Sequence, residues 1–152
     1  MSLEIEATAT SFAAPEVIFK HLCVAEAWDE WGTFWIRPRR ERAGDGHPNG
    51  IGAVRRVARS REEVVEWDPP RHYAYITIAG PAPRGFRADI TLEPHGTDTL
   101  IRWHGAFEPR LLGAGPLTRR RLRRRFDAYA RRIAWHSERC EPGCPARLPG
   151  AL

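Results

Sequence analysis

Apolar and polar residues alternate from the start of the chain: Leu3, Ile5, Ala7 and Ala9 against Glu4, Glu6, Thr8 and Thr10. That is the period of a strand with one buried face, ending near Ser11. Pro15, after Ala13 and Ala14, suits the first turn of a helix whose apolar side is Val17, Ile18, His21 and Leu22. A second short helix is predicted over 24–31, stopped at Gly32. From Phe34 the period returns to two, and strands are predicted over 34–42, 51–59, 62–68, 72–79, 86–93 and 99–107. Their separators carry turn chemistry: a Gly-containing stretch over 43–50, Ser60, Pro69-Pro70, a Pro- and Gly-containing stretch over 80–85, and His95-Gly96. Short links force neighbouring strands antiparallel, so the order is a meander, with the first strand closing onto the last. After Pro109 and a Gly-rich turn, Leu122, Phe126, Tyr129 and Ile133 recur at spacings of four, three and four, one face of a long helix ending near Arg139. That face needs a partner, and the only sheet available is the meander. The fold class is therefore α+β: a curved antiparallel sheet of about seven strands gripping a long C-terminal helix, with two short helices after the first strand.

Strand parity assigns faces. Ile101, Trp103, Gly105 and Phe107 point toward the helix, as do Phe86, Ala88, Ile90 and Leu92, while Arg102, His104, Arg87, Asp89 and Glu93 point to water. On the strand from His72, either Tyr73, Tyr75 and Thr77 or Ala74, Ile76 and Ile78 face inward, and the polar-tipped set suits a ligand pocket. Arg55 shares a face with Ile51, Ala53 and Val57, so a guanidinium enters the apolar side or snorkels to an opening; inside, it needs a carboxylate such as Glu66, or an anionic ligand group. Two of the four residues on the helix stripe are aromatic, and the sheet before it is rich in Trp, Tyr and Phe. Aromatic walls with a few polar tips describe a small-molecule site. The predicted cavity neighbours are Trp31, Trp35, Arg55, Tyr75, Phe86, Trp103, Phe107, Phe126 and Tyr129.

At 152 residues the chain fits one domain, read as 1–139, with a Pro-, Gly- and Cys-containing tail over 140–152 that is expected to fray. No apolar run approaches the length of a membrane span, and the alternating, acid-bearing N-terminus reads as a strand and not a signal peptide, so a cytoplasmic location is the default. The three cysteines, Cys23, Cys140 and Cys144, supply one Cys-x3-Cys pair and no second pair, short of a four-ligand set. Neither a metal nor a cofactor is expected. The net charge of +5 is concentrated, with nine Arg against Asp127 and Glu138 between 117 and 139. The Arg strip falls where the apolar stripe does not, which is the pattern of a solvated helix back. With no recognition fold and no interleaved stacking aromatics, nucleic acid is not the expected partner, and a basic helix that binds nucleic acid or an acidic protein is the further alternative.

Catalytic motifs are absent: there is no Gly-x-Ser-x-Gly, His-Glu-x-x-His, Gly-x-Gly-x-x-Gly or phosphate-binding loop. Cys23 lies two residues from His21 on a short helix, which points the two apart. Arg55 with Glu66, or the hydroxyls of Tyr75 and Tyr129, remain for acid–base work, which a cyclase or dehydratase can run in a shaped apolar pocket.

The opening strand followed by Ala-Pro-Glu-Val-Ile-Phe (14–19), the stretch from Trp28 to Trp31, Gly-Ile-Gly-Ala-Val-Arg (50–55), Val-Val-Glu-Trp-Asp-Pro-Pro-Arg-His-Tyr-Ala-Tyr (64–75), Thr-Leu-Glu-Pro-His-Gly-Thr-Asp-Thr-Leu-Ile-Arg-Trp (91–103) and the terminal helix together resemble the START-like, or SRPBCC, superfamily. The resemblance covers residues 3–138. It implies the helix-grip fold shared with the birch-pollen allergen and bacterial polyketide cyclase/dehydrase proteins. It also implies a cavity between sheet and helix for a lipid, polyketide or other apolar metabolite. Members include binders, carriers, chaperone-regulating modules and cyclases, so ligand binding is the first expectation and a polyketide cyclase- or dehydratase-like enzyme the alternative. A homodimer is left open.

Overall fold

The computed structural model describes residues 2–111 and 113–152. Strand β1 (Leu3–Ser11) leads into α1 (Pro15–Cys23), a 3-10 turn (Ala25–Ala27) and α2 (Trp28–Trp31). Strands β2 (Arg39–Arg42), β3 (Val54–Val57), β4 (Ser60–Asp68), β5 (His72–Ala79), β6 (Arg84–His95) and β7 (Asp98–Glu108) follow, then α3 (Gly115–Ser137) and a 3-10 turn at Pro145–Arg147. The sheet runs β1-β7-β6-β5-β4-β3-β2, every neighbour antiparallel. The first strand closes onto the last, with Ala7 opposite Trp103. Among the described residues no helix is long and apolar enough to cross a membrane.

Burial on β7 alternates without a break, Thr99, Ile101, Trp103, Gly105 and Phe107 inside, and on β6 Phe86, Ala88, Ile90 and Leu92 do the same. Helix α3 lies across this face with Leu122, Phe126, Ala130, Ile133 and Ala134 buried. It can approach because β7 carries no side chain at Gly105, where an added Cβ would sit 2.6 Å from the Phe126 ring. Ser11 Oγ donates to the Ala134 carbonyl at 2.8 Å, and the Phe12 N–H donates to Glu138, tying the far end of α3 to the end of β1.

Two predicted strands are shorter than their patterns suggest. Over 34–42 only Arg39–Arg42 pairs, on the sheet edge and exposed throughout, and Trp35 and Ile36 lie in the open. Pro38 has no N–H for a ladder, so the alternation before it has nothing to join. Over 51–59 only Val54–Val57 is strand, and Ile51 is exposed ahead of it.

Residues 140–152, expected to fray, fold back onto the domain: Cys140, Cys144, Ala146 and Ala151 are buried in the core. The Ala151 carbonyl accepts hydrogen bonds from Asn49 Nδ2 (3.2 Å) and Cys23 Sγ (3.4 Å). These partners lie more than a hundred residues upstream, which is why local Pro and Gly content did not reveal them.

Candidate functional site

Tyr73, Tyr75 and Thr77 are the inward set of β5, opposite Trp67, Val64 and Glu62 of β4. Residue 65 has no partner between the pairs Val64–Tyr75 and Glu66–Ala74, so β4 carries a bulge there. One extra residue reverses the parity of all that follows. Glu62 and Val64, ahead of the bulge, point inward, while Glu66, the partner expected for Arg55, is turned outward by it, 3.8 Å from Arg87.

Arg55 does enter the apolar side, and it is 2% exposed. It stands directly across the β3–β4 ladder from Glu62 and donates Nε to Glu62 Oε1 at 3.1 Å. Its second terminal nitrogen lies 3.1 Å from the same oxygen but off the hydrogen-bond direction, ion-paired without a hydrogen bond of its own. The first donates to the Leu22 carbonyl at 2.8 Å. The guanidinium also lies over Trp28, 4.1 Å from the ring centroid, and beside Tyr75 (4.7 Å) and Tyr73 (5.3 Å), a desolvated cation–π cage. Burial pushes the Glu62 carboxyl above its ordinary 4.5, and Arg55 pulls it only part of the way back. Burial likewise raises the Tyr75 phenol well above its ordinary value and Tyr129 to about 12, so both hydroxyls keep their protons.

Beside this pair a cavity of about 380 Å³ opens between the first half of α3, the 80–85 loop and the ends of β4 and β5. Tyr75, Phe86, Leu122 and Phe126 form its apolar wall, Glu62 reaches it from below, and Arg110, Arg121 and Arg125 stand around it. Arg110 also donates to the carbonyls of Gly80 and Ala82, holding the loop that makes one side of the opening.

The nine residues expected around the ligand thus divide. Tyr75, Phe86, Phe126 and Tyr129 line the cavity. Arg55 sits one residue behind it, supporting Glu62. Trp31, Trp103 and Phe107 are buried in the packed part of the grip and do not line it. Trp103 fills its place against Trp28, Phe126 and Tyr129, with ring centroids 5.3–5.9 Å apart. Trp35 is fully exposed and belongs to no wall. Alternation puts Glu62 and Glu66 on one face, and Glu66 was taken as the partner because the bulge at 65 that turns it away leaves no sequence signal; the Arg121 and Arg125 edge was missed because both were grouped with the solvated Arg strip. Arg119, Arg120, Arg123 and Arg124 are indeed exposed on the back of α3. The Cys23 thiol, pushed up to about 12 by burial and turned toward Ala151, is not a nucleophile beside His21.

The chain is similar in fold to a START superfamily protein from Mycobacterium smegmatis, with a TM-score of 0.75 at 16% identity over 91% of this chain and 99% of that one. Major latex-like protein 151 from Panax ginseng aligns with a TM-score of 0.70 at 12% identity, covering 90% and 97%. The Aha1 dimer from Colwellia psychrerythraea aligns at 0.64 and 16%, covering 90% and 96%. No curated protein sequence matches the chain. The family model for polyketide cyclase / dehydrase and lipid transport matches residues 2–138, nearly the whole length. A seven-stranded grip, an aromatic interior and a side opening under the terminal helix agree with that match, and the chain belongs to the polyketide cyclase / dehydrase and lipid transport family.

Proposed function

We propose that the protein holds one small, largely apolar, ring-bearing molecule with an acidic group in the cavity beneath the first half of α3. The observation that carries this reading is the lining itself. Aromatic and aliphatic walls from Tyr75, Phe86, Leu122 and Phe126 meet three guanidinium groups at the opening, Arg110, Arg121 and Arg125. A volume of about 380 Å³ lies near the lower end of ligand pockets, roughly 300–1,000 Å³. Because Trp31, Trp103 and Phe107 pack the deep end of the grip, the ligand is short and does not thread the whole sheet–helix interface. Guanidinium at the opening suits a carboxylate or a phenolate.

The test uses an aromatic sulfonate, 1-anilinonaphthalene-8-sulfonate, as probe. Saturable one-to-one binding with blue-shifted emission is expected in the wild type, weakened at least roughly tenfold in Thr118→Trp, which fills the opening, and in Arg121→Glu/Arg125→Glu. Equal binding by all three proteins overturns the reading.

A second reading, a cyclase- or dehydratase-like enzyme, is favoured by one observation: a buried carboxyl with raised proton affinity, Glu62, reaches the same cavity as the Tyr75 hydroxyl. Such a pair can take a proton from carbon and return one to oxygen. On this reading Glu62→Gln keeps probe affinity and abolishes turnover; retained turnover removes Glu62 from the chemistry.

A further inference from the structure

Away from the cavity, four metal-binding side chains converge from both ends of the chain. His21 comes from α1 and His136 from the last turn of α3, while Cys140 and Cys144 come from the returning tail. Their donor atoms all lie within 4.8 Å of one another, and three of the four residues are buried. Cys144 Sγ is 3.6 Å from His21 Nε2 and 3.7 Å from His136 Nε2. A tetrahedron with Zn–N near 2.05 Å and Zn–S near 2.3 Å has edges of roughly 3.3–3.8 Å, so these two edges already have the length an ion requires. The remaining donor pairs lie within 4.8 Å, so closing the figure requires them to draw in by at most about 1.5 Å.

The surroundings are those of a metal site as well. His21 Nδ1 donates to the Val17 carbonyl at 2.8 Å, which leaves the lone pair of Nε2 facing the sulfurs. Arg147 Nε donates to Cys140 Sγ at 3.4 Å, a contact that favours thiolate. The chain turns back at Glu141-Pro142-Gly143, closed by the Cys144 N–H on the Glu141 carbonyl at 3.0 Å, and this brings the two sulfurs to the same side.

We propose that His21, His136, Cys140 and Cys144 bind a zinc ion in a closed, structural S2N2 site that fastens the C-terminal tail across α1 and α3. Two thiols ligate as thiolates, releasing two protons to solvent, and their two charges neutralise the dication, so the buried centre carries no net charge. Neutral imidazole and thiolate together select zinc over magnesium or calcium. Four protein ligands leave no open position, so the ion stabilises and does not catalyse. None of the four lines the ligand cavity, so the two sites stand or fall separately.

The full chain, purified under reducing conditions without chelator, is expected to contain one equivalent of zinc by elemental analysis. Cobalt(II) added to metal-free protein is expected to give the intense visible bands of a tetrahedral site together with thiolate-to-cobalt charge transfer. Cys140→Ser/Cys144→Ser abolishes both signals, and Arg147→Ala weakens zinc affinity by roughly tenfold. A strong chelator lowers the melting temperature of the wild type and leaves that of the double variant unmoved. If the double variant does not fold, the cobalt titration of reduced wild-type protein decides alone. Absence of metal together with an octahedral, thiolate-free cobalt spectrum overturns the proposal. So does a chain lighter by two hydrogens, joined Cys140 to Cys144, that takes up no metal after reduction.

Discussion

Replacing Arg55 by Met keeps most of the buried stem and deletes only the charge. Its Nε–H donor to Glu62 disappears, and the carboxylate is left in an apolar interior without its counter-ion. The Leu22 carbonyl loses one donor but keeps the Trp28 indole N–H at 2.8 Å, so the loss is concentrated at Glu62. Breaking a buried pair in this way costs about 3–5 kcal/mol. For a chain of this length each kcal/mol lowers Tm by about 2–4 °C, so Arg55→Met is expected to melt roughly 6–20 °C below wild type. The cost has a pH signature. The folded-state pKa of Glu62 is already raised above its ordinary 4.5 by burial, and loss of Arg55 raises it further. A group raised in this sense contributes stability that is complete below about 4.5 and is lost as pH rises through its folded-state value. The deficit of Arg55→Met is therefore smallest near pH 4.5 and largest above neutrality. Arg55→Met/Glu62→Met removes both charges and is expected to recover at least about 2 kcal/mol relative to the sum of the single variants. The assay is urea unfolding followed by tryptophan emission and circular dichroism, from pH 4.5 to pH 8. A single variant costing under about 1 kcal/mol, a deficit independent of pH, or a double variant equal to the sum of the singles would refute the buried-pair reasoning.

Gly105→Ala puts a methyl 2.6 Å from the Phe126 ring and 3.1 Å from Ile5 Cγ1, so the helix must lift; calorimetry should show a loss of about 1–3 kcal/mol. On the outer face of the sheet, Asp89 is held below its ordinary 3.8: burial works against ionisation, but hydrogen bonds from Arg87 (2.9 Å) and His72 (2.7 Å) outweigh it. A depressed carboxylate contributes stability above its unfolded value and loses it as pH falls through the folded one. Acid unfolding of Asp89→Asn should therefore lack part of the wild-type steepness below about pH 4, and an unchanged acid limb would count against the cluster. Thr118→Trp should leave Tm within roughly 3 °C of wild type while closing the cavity, because Thr118 is half exposed on α3.

Most of the architecture was legible because β6 and β7 bury one face along most of their length, and a period of two is visible whenever only one face is buried. It failed where that condition fails. The pattern over 34–38 reaches the exposed edge, and Trp35 alternates in the sequence without facing anything. The side of the grip was legible from Phe86, Phe126 and Tyr129, but the depth of the cavity was not. Whether Trp103 lines space or fills it depends on where Trp28 and Trp31 pack. Glu66 was preferred to Glu62 as the partner of Arg55 because the single extra residue at 65, which turns Glu66 outward, leaves composition and alternation almost unchanged. The Cys-His cluster was hidden by distance: His136, Cys140 and Cys144 recur every four residues, but His21 lies more than a hundred positions away.

The proposed ligand of the opening beneath α3 is a small apolar acid. Native mass spectrometry of protein purified from its own host, with solvent extraction of whatever is bound, tests it most directly. A stoichiometric adduct carrying an apolar body and an acidic group is expected on the wild type and is expected to be missing from Thr118→Trp. An empty wild-type protein whose Tm is moved by no member of a panel of fatty acids and aromatic polyketide acids would contradict it.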